Sequence, residues 1–526
     1  MAGKPRQSLR LPMKRALYLG IDLGTSSVKV VLMAAGGDVV ATASKPLTVS
    51  HPAPRWSEQN PEDWWQATLS AVDEVLSVAD RAFHSPRRVH AIGLSGQMHG
   101  AVLLDRQGEV IRPAILWNDG RSDAECVELE HVEGFRHVTG NLAMPGFTAP
   151  KLLWVRRHEP AGFARIHKVL LPKDYLRFRL TGEFATDVSD AAGTLWLDVA
   201  KRQWSPAMLA ATGLDAGHMP TLHEGTDVTG SLKPALADRW GMDRIPVAAG
   251  GGDNAAGAVG AGIVMPGQAM LSLGTSGVYF AVADGFHARP EQAVHSFCHA
   301  LPGTWHLMSV MLSAASCLDF TARITGQPNV AALLAEAEGS MSRADGPFFL
   351  PYLTGERTPH NDVHARGAFT GLSADTTRQD LAHATLEGVG LGLADGVDAV
   401  QAAGIAASEI VAIGGGSRSG FWIQMIADIL GRPVSLRAGG EVGPALGAAR
   451  LAQLASEPGA TLANTCPLPP LLAVAEPRAA RHSYYVEHRQ PAFRALYRQL
   501  KPVYSDARSA RDDSAAPYPV NGAKTA

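Results

Sequence analysis

An aspartate at the end of an apolar run, a Gly-Thr-Ser-Ser turn just after it and a lysine beyond form an unusual group in LYLGIDLGTSSVKVVLM, residues 17–33. Asp22 supplies a carboxylate, Thr25, Ser26 and Ser27 supply hydroxyls, Lys29 supplies a cation, and Gly24 lets consecutive backbone N–H groups face one point. Together these suit a phosphate, with Asp22 placed to face an accompanying metal ion. The same residues also suit an ordinary β-hairpin turn. Far downstream, MLSLGTSGVYFAV (residues 270–282) repeats the design around Gly274-Thr275-Ser276, with Ser272 in the place of Asp22. Two copies of one turn in the two halves of a chain point to a duplicated unit and to a nucleotide held between two hairpins.

Three further positions have chemical potential. Asp253 follows Gly250-Gly251-Gly252 at a predicted helix start, where it suits both an N-cap and an ionised carboxylate able to accept a hydroxyl proton. His99 lies between glycines in the loop GLSGQMHG, where a hydrogen bond to a polar substrate is plausible. The turn GGGSRSG, from Gly414, brings backbone close to a phosphate or a nucleoside at another helix start. His295, His299 and His306 are candidates for lining a cleft, but their spacing matches no metal site. The chain carries no Walker A lysine motif, protein-kinase glycine loop or HRD sequence, so ATP would be handled by another architecture.

The elements that must position these residues alternate between strand and helix. Tyr18 to Ile21 and Val28 to Leu32 read as strands, as do Val89 to Leu94, Ala101 to Leu104, Ile245 to Ala249 and Glu409 to Ile413. Asn60-Pro61-Glu62-Asp63 reads as a helix start, and Trp64 and Trp65 beyond it are assigned to packing. Trp422, Ile426 and Ile429 form one face of a helix that Gly431 ends. This pattern predicts an α/β protein with two similar lobes and a cleft between them.

The whole chain sets outer bounds. With 526 residues it is long enough for two domains. A net charge of −3 gives no general pull toward nucleic acid or an anionic membrane, and no apolar run reaches the ~20 residues of a spanning helix. Cys126, Cys298, Cys317 and Cys466 are far apart, which indicates neither a zinc site nor a disulfide framework and favours the cytoplasm. The basic residues 1–15 read as a disordered leader, residues 16–248 and 249–498 as two domains, and residues 499–526 as a disordered tail.

The stretches GIDLGTSSVKV, SGQMHGAVLLD, RPAILWNDGR, GNLAMPGFTAPKLLW, LLPKDYL, SDAAGTLWLDV, AGGGDNAAGAVG, LSLGTSGVYFAV, PYLTGERTPH and IGGGSRSGFW together resemble the FGGY family of carbohydrate kinases over roughly residues 16–498. The resemblance implies two ribonuclease-H-like domains of the actin-like, hexokinase-type ATPase fold around a central cleft. It implies Asp253 as catalytic base with Asn254 beside it, Asp22 as the metal-associated carboxylate, and Met98 and His99 as sugar contacts. Gly24, Thr25, Ser26, Lys29, Gly274 and Thr275 would hold the phosphates, with Gly414, Gly415 and Ser419 near the nucleoside. The implied reaction is phosphorylation of D-xylulose at O5 by MgATP, in xylose catabolism. Its partners are small molecules, with no nucleic acid and no membrane, and a homodimer is an open assembly state. Another pentulose or a polyol as acceptor would alter only the sugar pocket, while a non-catalytic ATP-binding switch would need no base at position 253.

Overall fold

The computed structural model describes residues 16–81, 85–339, 346–438 and 443–513. The expected leader and the part of the expected tail beyond residue 513 lie outside the described residues. Each Gly-Thr-Ser turn joins two antiparallel strands, Leu17–Leu23 with Ser27–Ala34 and Gln268–Leu273 with Gly277–Ala283. Both strands of each hairpin are mostly apolar on both faces, which commits them to the centre of a covered sheet.

Around each hairpin the sheet grows in the same way. In the first sheet, Val39–Pro46 adds antiparallel to the second hairpin strand, and Val89–Gly96 and then Pro246–Ala248 add parallel to the first. In the second sheet, Trp305–Met311 adds antiparallel on one side, and Glu409–Ile413 and then Val434–Arg437 add parallel on the other. The shared order of three antiparallel strands followed by two parallel ones is the ribonuclease-H-like topology, present twice. The duplication read from the two turns therefore extends to whole sheets.

Gly251–Gly252 pairs with Ser95 and Gly96, so the first sheet continues past residue 248. The helix Gly443–Ser456, from the far end of the chain, also packs on that first sheet. A Cβ on Gly20 would fall 1.9 Å from the Ala445 carbonyl oxygen, and one on Gly93 equally close to that of Ala448, so only glycine admits the helix at this depth. The chain between the hairpins, roughly residues 101–219, buries Phe147, Leu152 and Trp196 with Phe280, Phe297 and Met308 of the second sheet and so bridges the lobes. The last helix, Gln490–Asp513, runs well beyond residue 498, correcting the expectation of disorder from 499 for that stretch. Its amphipathic face seats Phe493 and Tyr497 in the second core.

Candidate active site

The first hairpin ends where three chain segments meet. Asp22 is paired in register with Lys29 across the hairpin and with Ser95 in the parallel strand, and Gly96 is paired with Gly252, immediately before Asp253. Strand pairing therefore brings the Asp22 and Asp253 carboxylates to one place. Burial raises the Asp22 carboxyl to about 7, and repulsion from Asp253 adds to this, while the Ser95 hydroxyl and Lys29 pull it down. Its buried Oδ1 has no hydrogen-bond partner.

Asp253 is not the N-cap suggested by its position. Gly252 occupies the cap and Asp253 is the first residue of the helix Asp253–Ala261. Its Oδ1 accepts the backbone N–H of Asn254 at 2.7 Å and the Asn254 side-chain amide at 2.9 Å, which fixes the carboxylate through one oxygen. Burial raises its pKa to about 6, against those two hydrogen bonds. At neutral pH most of this group is ionised and can accept a proton.

Met98, His99, Asp253 and Asn254 share one cavity of about 240 Å³, closed by Trp117, Phe147, His295, Phe297 and Arg357 from both lobes. His99 adopts φ +71°, a left-handed conformation uncommon for a side-chain-bearing residue. This directs Nδ1–H to the Gly193 carbonyl at 2.7 Å, so Nε2 is an acceptor. Burial, helped by the nearby Lys151 cation, lowers the imidazole to about 3, which keeps it neutral. The backbone carbonyl of His99 accepts from Lys151 Nζ at 2.8 Å and Thr148 Oγ1 at 3.1 Å, which hold the loop in place.

A second cavity, of about 180 Å³, continues from Asp253 and Asn254 past Ser272, Ile413 and Pro444. Gly24, Thr25, Ser26, Lys29, Gly274 and Thr275 line neither cavity; Lys29 lies in the strand Ser27–Ala34 and the others form the two turns. The second turn is braced by the helix Ala315–Ile324, since the Gly274 carbonyl accepts from Ala315 N–H at 2.9 Å and that of Thr275 from the Ser316 hydroxyl at 2.9 Å. Gly414 and Gly415 follow the strand Glu409–Ile413, with Gly414 against Leu273. Ser419 caps the helix Gly420–Leu430 through Trp422 N–H at 3.3 Å.

The candidate histidines divide. His295 lines the cavity, whereas His299 and His306 are core residues against Phe280. Among the described residues no three His, Cys, Asp or Glu side chains cluster as a metal site, and all four cysteines are free and buried. Asp22 nevertheless fits a magnesium ion bound through a carboxylate and substrate phosphates, because a buried oxygen lacks a partner and a second carboxylate stands beside it. Trp117, Phe147 and Arg357 were not singled out in the sequence, although each lies in a stretch that carries the family resemblance.

Comparison with known proteins agrees with this architecture. Residues 17–260 match the N-terminal domain of the FGGY family of carbohydrate kinases, and residues 269–456 match its C-terminal domain. The chain is 59% identical over 488 residues to xylulose kinase of Escherichia coli (strain K12), covering 93% of this chain and 100% of that one. It is 56% identical over 490 residues to xylulose kinase of Klebsiella pneumoniae, with the same coverage. The crystal structure of a xyloylose kinase from Brucella ovis superposes with a TM-score of 0.89 at 48% identity, over 93% of this chain and 100% of that one. Two matched family domains spanning most of the chain, built on a duplicated ribonuclease-H-like core around one cleft, establish that this protein belongs to the FGGY family of carbohydrate kinases.

Proposed function

We propose that the chain transfers the γ-phosphoryl group of ATP to O5 of D-xylulose, giving D-xylulose 5-phosphate and ADP. The observation that carries this reading is Asp253, an ionisable carboxylate fixed through one oxygen at the junction of a polyol-sized cavity and a cleft flanked by two phosphate-type turns.

In the reaction, the second oxygen of Asp253 takes the proton of the C5 hydroxyl as O5 attacks the γ-phosphorus. The bond from that phosphorus to the β,γ-bridging oxygen breaks, ADP leaves, and Asp253 later returns its proton to solvent. His99 Nε2 accepts a sugar hydroxyl, while Met98, Trp117 and Phe147 enclose the carbon chain. Gly24, Thr25 and Ser26 of the first turn, Lys29 of the strand after it and Gly274 and Thr275 of the second turn hold the phosphates, and Gly414, Gly415 and Ser419 adjoin the nucleoside. Asp22 would hold Mg2+, which when bound neutralises phosphate charge. Placing the reactants and excluding water supply most of the acceleration.

Among the described residues no helix is long and apolar enough to cross a membrane, and ATP as donor favours the cytoplasm. ADP release, measured with MgATP across pentuloses, hexuloses and glycerol, tests the reading. D-xylulose should give the highest kcat/KM; a clear preference for another acceptor would replace it.

A further inference from the structure

Arg357 belongs to the stretch PYLTGERTPH, to which the mechanism above gives no role. It lines the acceptor cavity, and its Nη1 lies 3.2 Å from Nε2 of His295. A guanidinium only donates, so Nε2 accepts, and the opposite Nδ1–H of His295 donates to Asn141 Oδ1 at 3.2 Å. Asn141 is itself fixed, its amide donating to the carbonyls of Ser296 at 2.9 Å and Thr139 at 2.8 Å. The backbone beside Arg357 is equally constrained. Its N–H donates to Glu356 Oε1 at 2.7 Å, and the Thr358 hydroxyl donates to the Ala293 carbonyl at 2.8 Å.

Among the described residues no carboxylate pairs with this guanidinium, which leaves a permanent donor set on the wall of a cavity for a neutral polyol. Side chains along that wall are linked in series: the His99 ring meets Phe147 at 4.7 Å, Phe147 meets His295 at 5.5 Å, and His295 meets Arg357. Arg357 and Asp253 thus line one cavity, with Phe147 and His295 linking Arg357 to His99.

We propose that Arg357 is a specificity-determining residue that donates to the C2 carbonyl oxygen of the acceptor ketose, with His295 as the positioning residue that fixes its fork. This rests on the reaction proposed above: with O5 at Asp253, the hydroxyketone end of the chain lies in the cavity that Arg357 lines. A carbonyl oxygen accepts in the plane of its substituents, which a planar fork of donors can match. A tetrahedral C2 alcohol presents a different direction and brings a hydroxyl proton with no acceptor on the guanidinium.

The test compares D-xylulose with xylitol and D-arabinitol, the two alditols formed by reducing its C2 carbonyl, as acceptors or as competitive inhibitors. The variants are Arg357→Met and, should that one unfold, Arg357→Lys. We expect Arg357→Met to lower kcat/KM for D-xylulose roughly ten- to a hundredfold, while alditol constants and KM for ATP change less than about threefold. Equal losses for ketose and alditols, or no loss for either, would overturn the inference. A wild-type enzyme that releases no ADP with D-xylulose would instead remove the reaction on which it rests.

Discussion

The indole Nε1 of Trp117 donates to Thr25 Oγ1 at 2.9 Å, joining the wall of the acceptor cavity to the first phosphate-type turn. The Thr25 hydroxyl in turn donates to Gln97 Oε1 at 3.0 Å, and Gln97 Nε2 donates to Gln59 Oε1 at 3.1 Å. Gln59 Nε2 returns to the Thr25 carbonyl at 2.8 Å, closing a ring of side-chain amides beneath the turn. Trp117→Phe keeps the ring but removes the donor. It should raise KM for ATP together with KM for D-xylulose, each by about two- to tenfold, the worth of one neutral hydrogen bond. Initial rates with both substrates varied decide this. An effect confined to D-xylulose would reduce Trp117 to a wall of the cavity.

Asp253→Asn should lower kcat by about 10² to 10⁴ while leaving ATP binding, measured by equilibrium dialysis, intact. The pH dependence follows from the raised carboxyl. With a pKa of about 6, Asp253 is protonated below that pH and cannot take the hydroxyl proton, so wild-type turnover should fall as pH drops through about 6. Near-normal turnover in a folded asparagine variant would remove Asp253 from the base role.

Asp22→Ala should raise the magnesium concentration for half-maximal rate by at least about tenfold and leave KM for D-xylulose within about twofold. In the wild type the carboxyl sits at about 7, held up by burial and by Asp253, so a cation must displace a proton there. Apparent magnesium affinity should therefore increase as pH rises across 7. A magnesium titration unchanged by the substitution would leave Asp22 only a structural part of the hairpin.

Glu356 gives a stability prediction of definite sign. Burial lifts its carboxyl to about 8, against N–H donors from Arg357 and Leu312 that bond Oε1, while Oε2 is buried without a partner. The folded state thus binds this proton more tightly than the unfolded chain, and stability is lost as pH rises from about 4.5 toward 8. Glu356→Gln keeps the acceptor and removes the charge. It should raise Tm at pH 8, with the gain vanishing below about pH 4.5. A variant that melts lower than wild type at pH 8 would show that the carboxylate has a partner in solution.

How much of this was legible in the sequence follows the range of the interactions. The two hairpins, the helix that begins at Pro61 and the helix Gly420–Leu430 are encoded by neighbouring residues, so alternation, caps and periodicity expose them. His99 and Asp253 could be singled out because a glycine-bounded loop and a helix start advertise polar chemistry, Met98 and Asn254 came only with the family resemblance, and all four line one cavity. Phe147 and Arg357 gave no such local sign. Their importance arises only when a bridging segment, an edge strand and a distant loop pack together. The three histidines show the limit most clearly, since His295 and His306 share one face of the paired strands and still divide, His295 lying opposite Met308 at the cavity and His306 stacking on Phe280 in the core.

The helix Gly443–Ser456 also has a bearing on biosynthesis. Leu446, Ala449 and Ala452 cover Tyr18, Met33, Ala91 and Ala248, so one face of the first sheet lacks its natural cover until the ribosome has made residues more than 180 positions beyond the family's N-terminal domain. The nascent N-terminal half must wait with that apolar surface open, a period in which chaperone capture and aggregation compete. Cutting the gene between the two matched domains would make the wait permanent. The chain has two matched family domains, and the cover of the first one's sheet comes from the C-terminal end of the second.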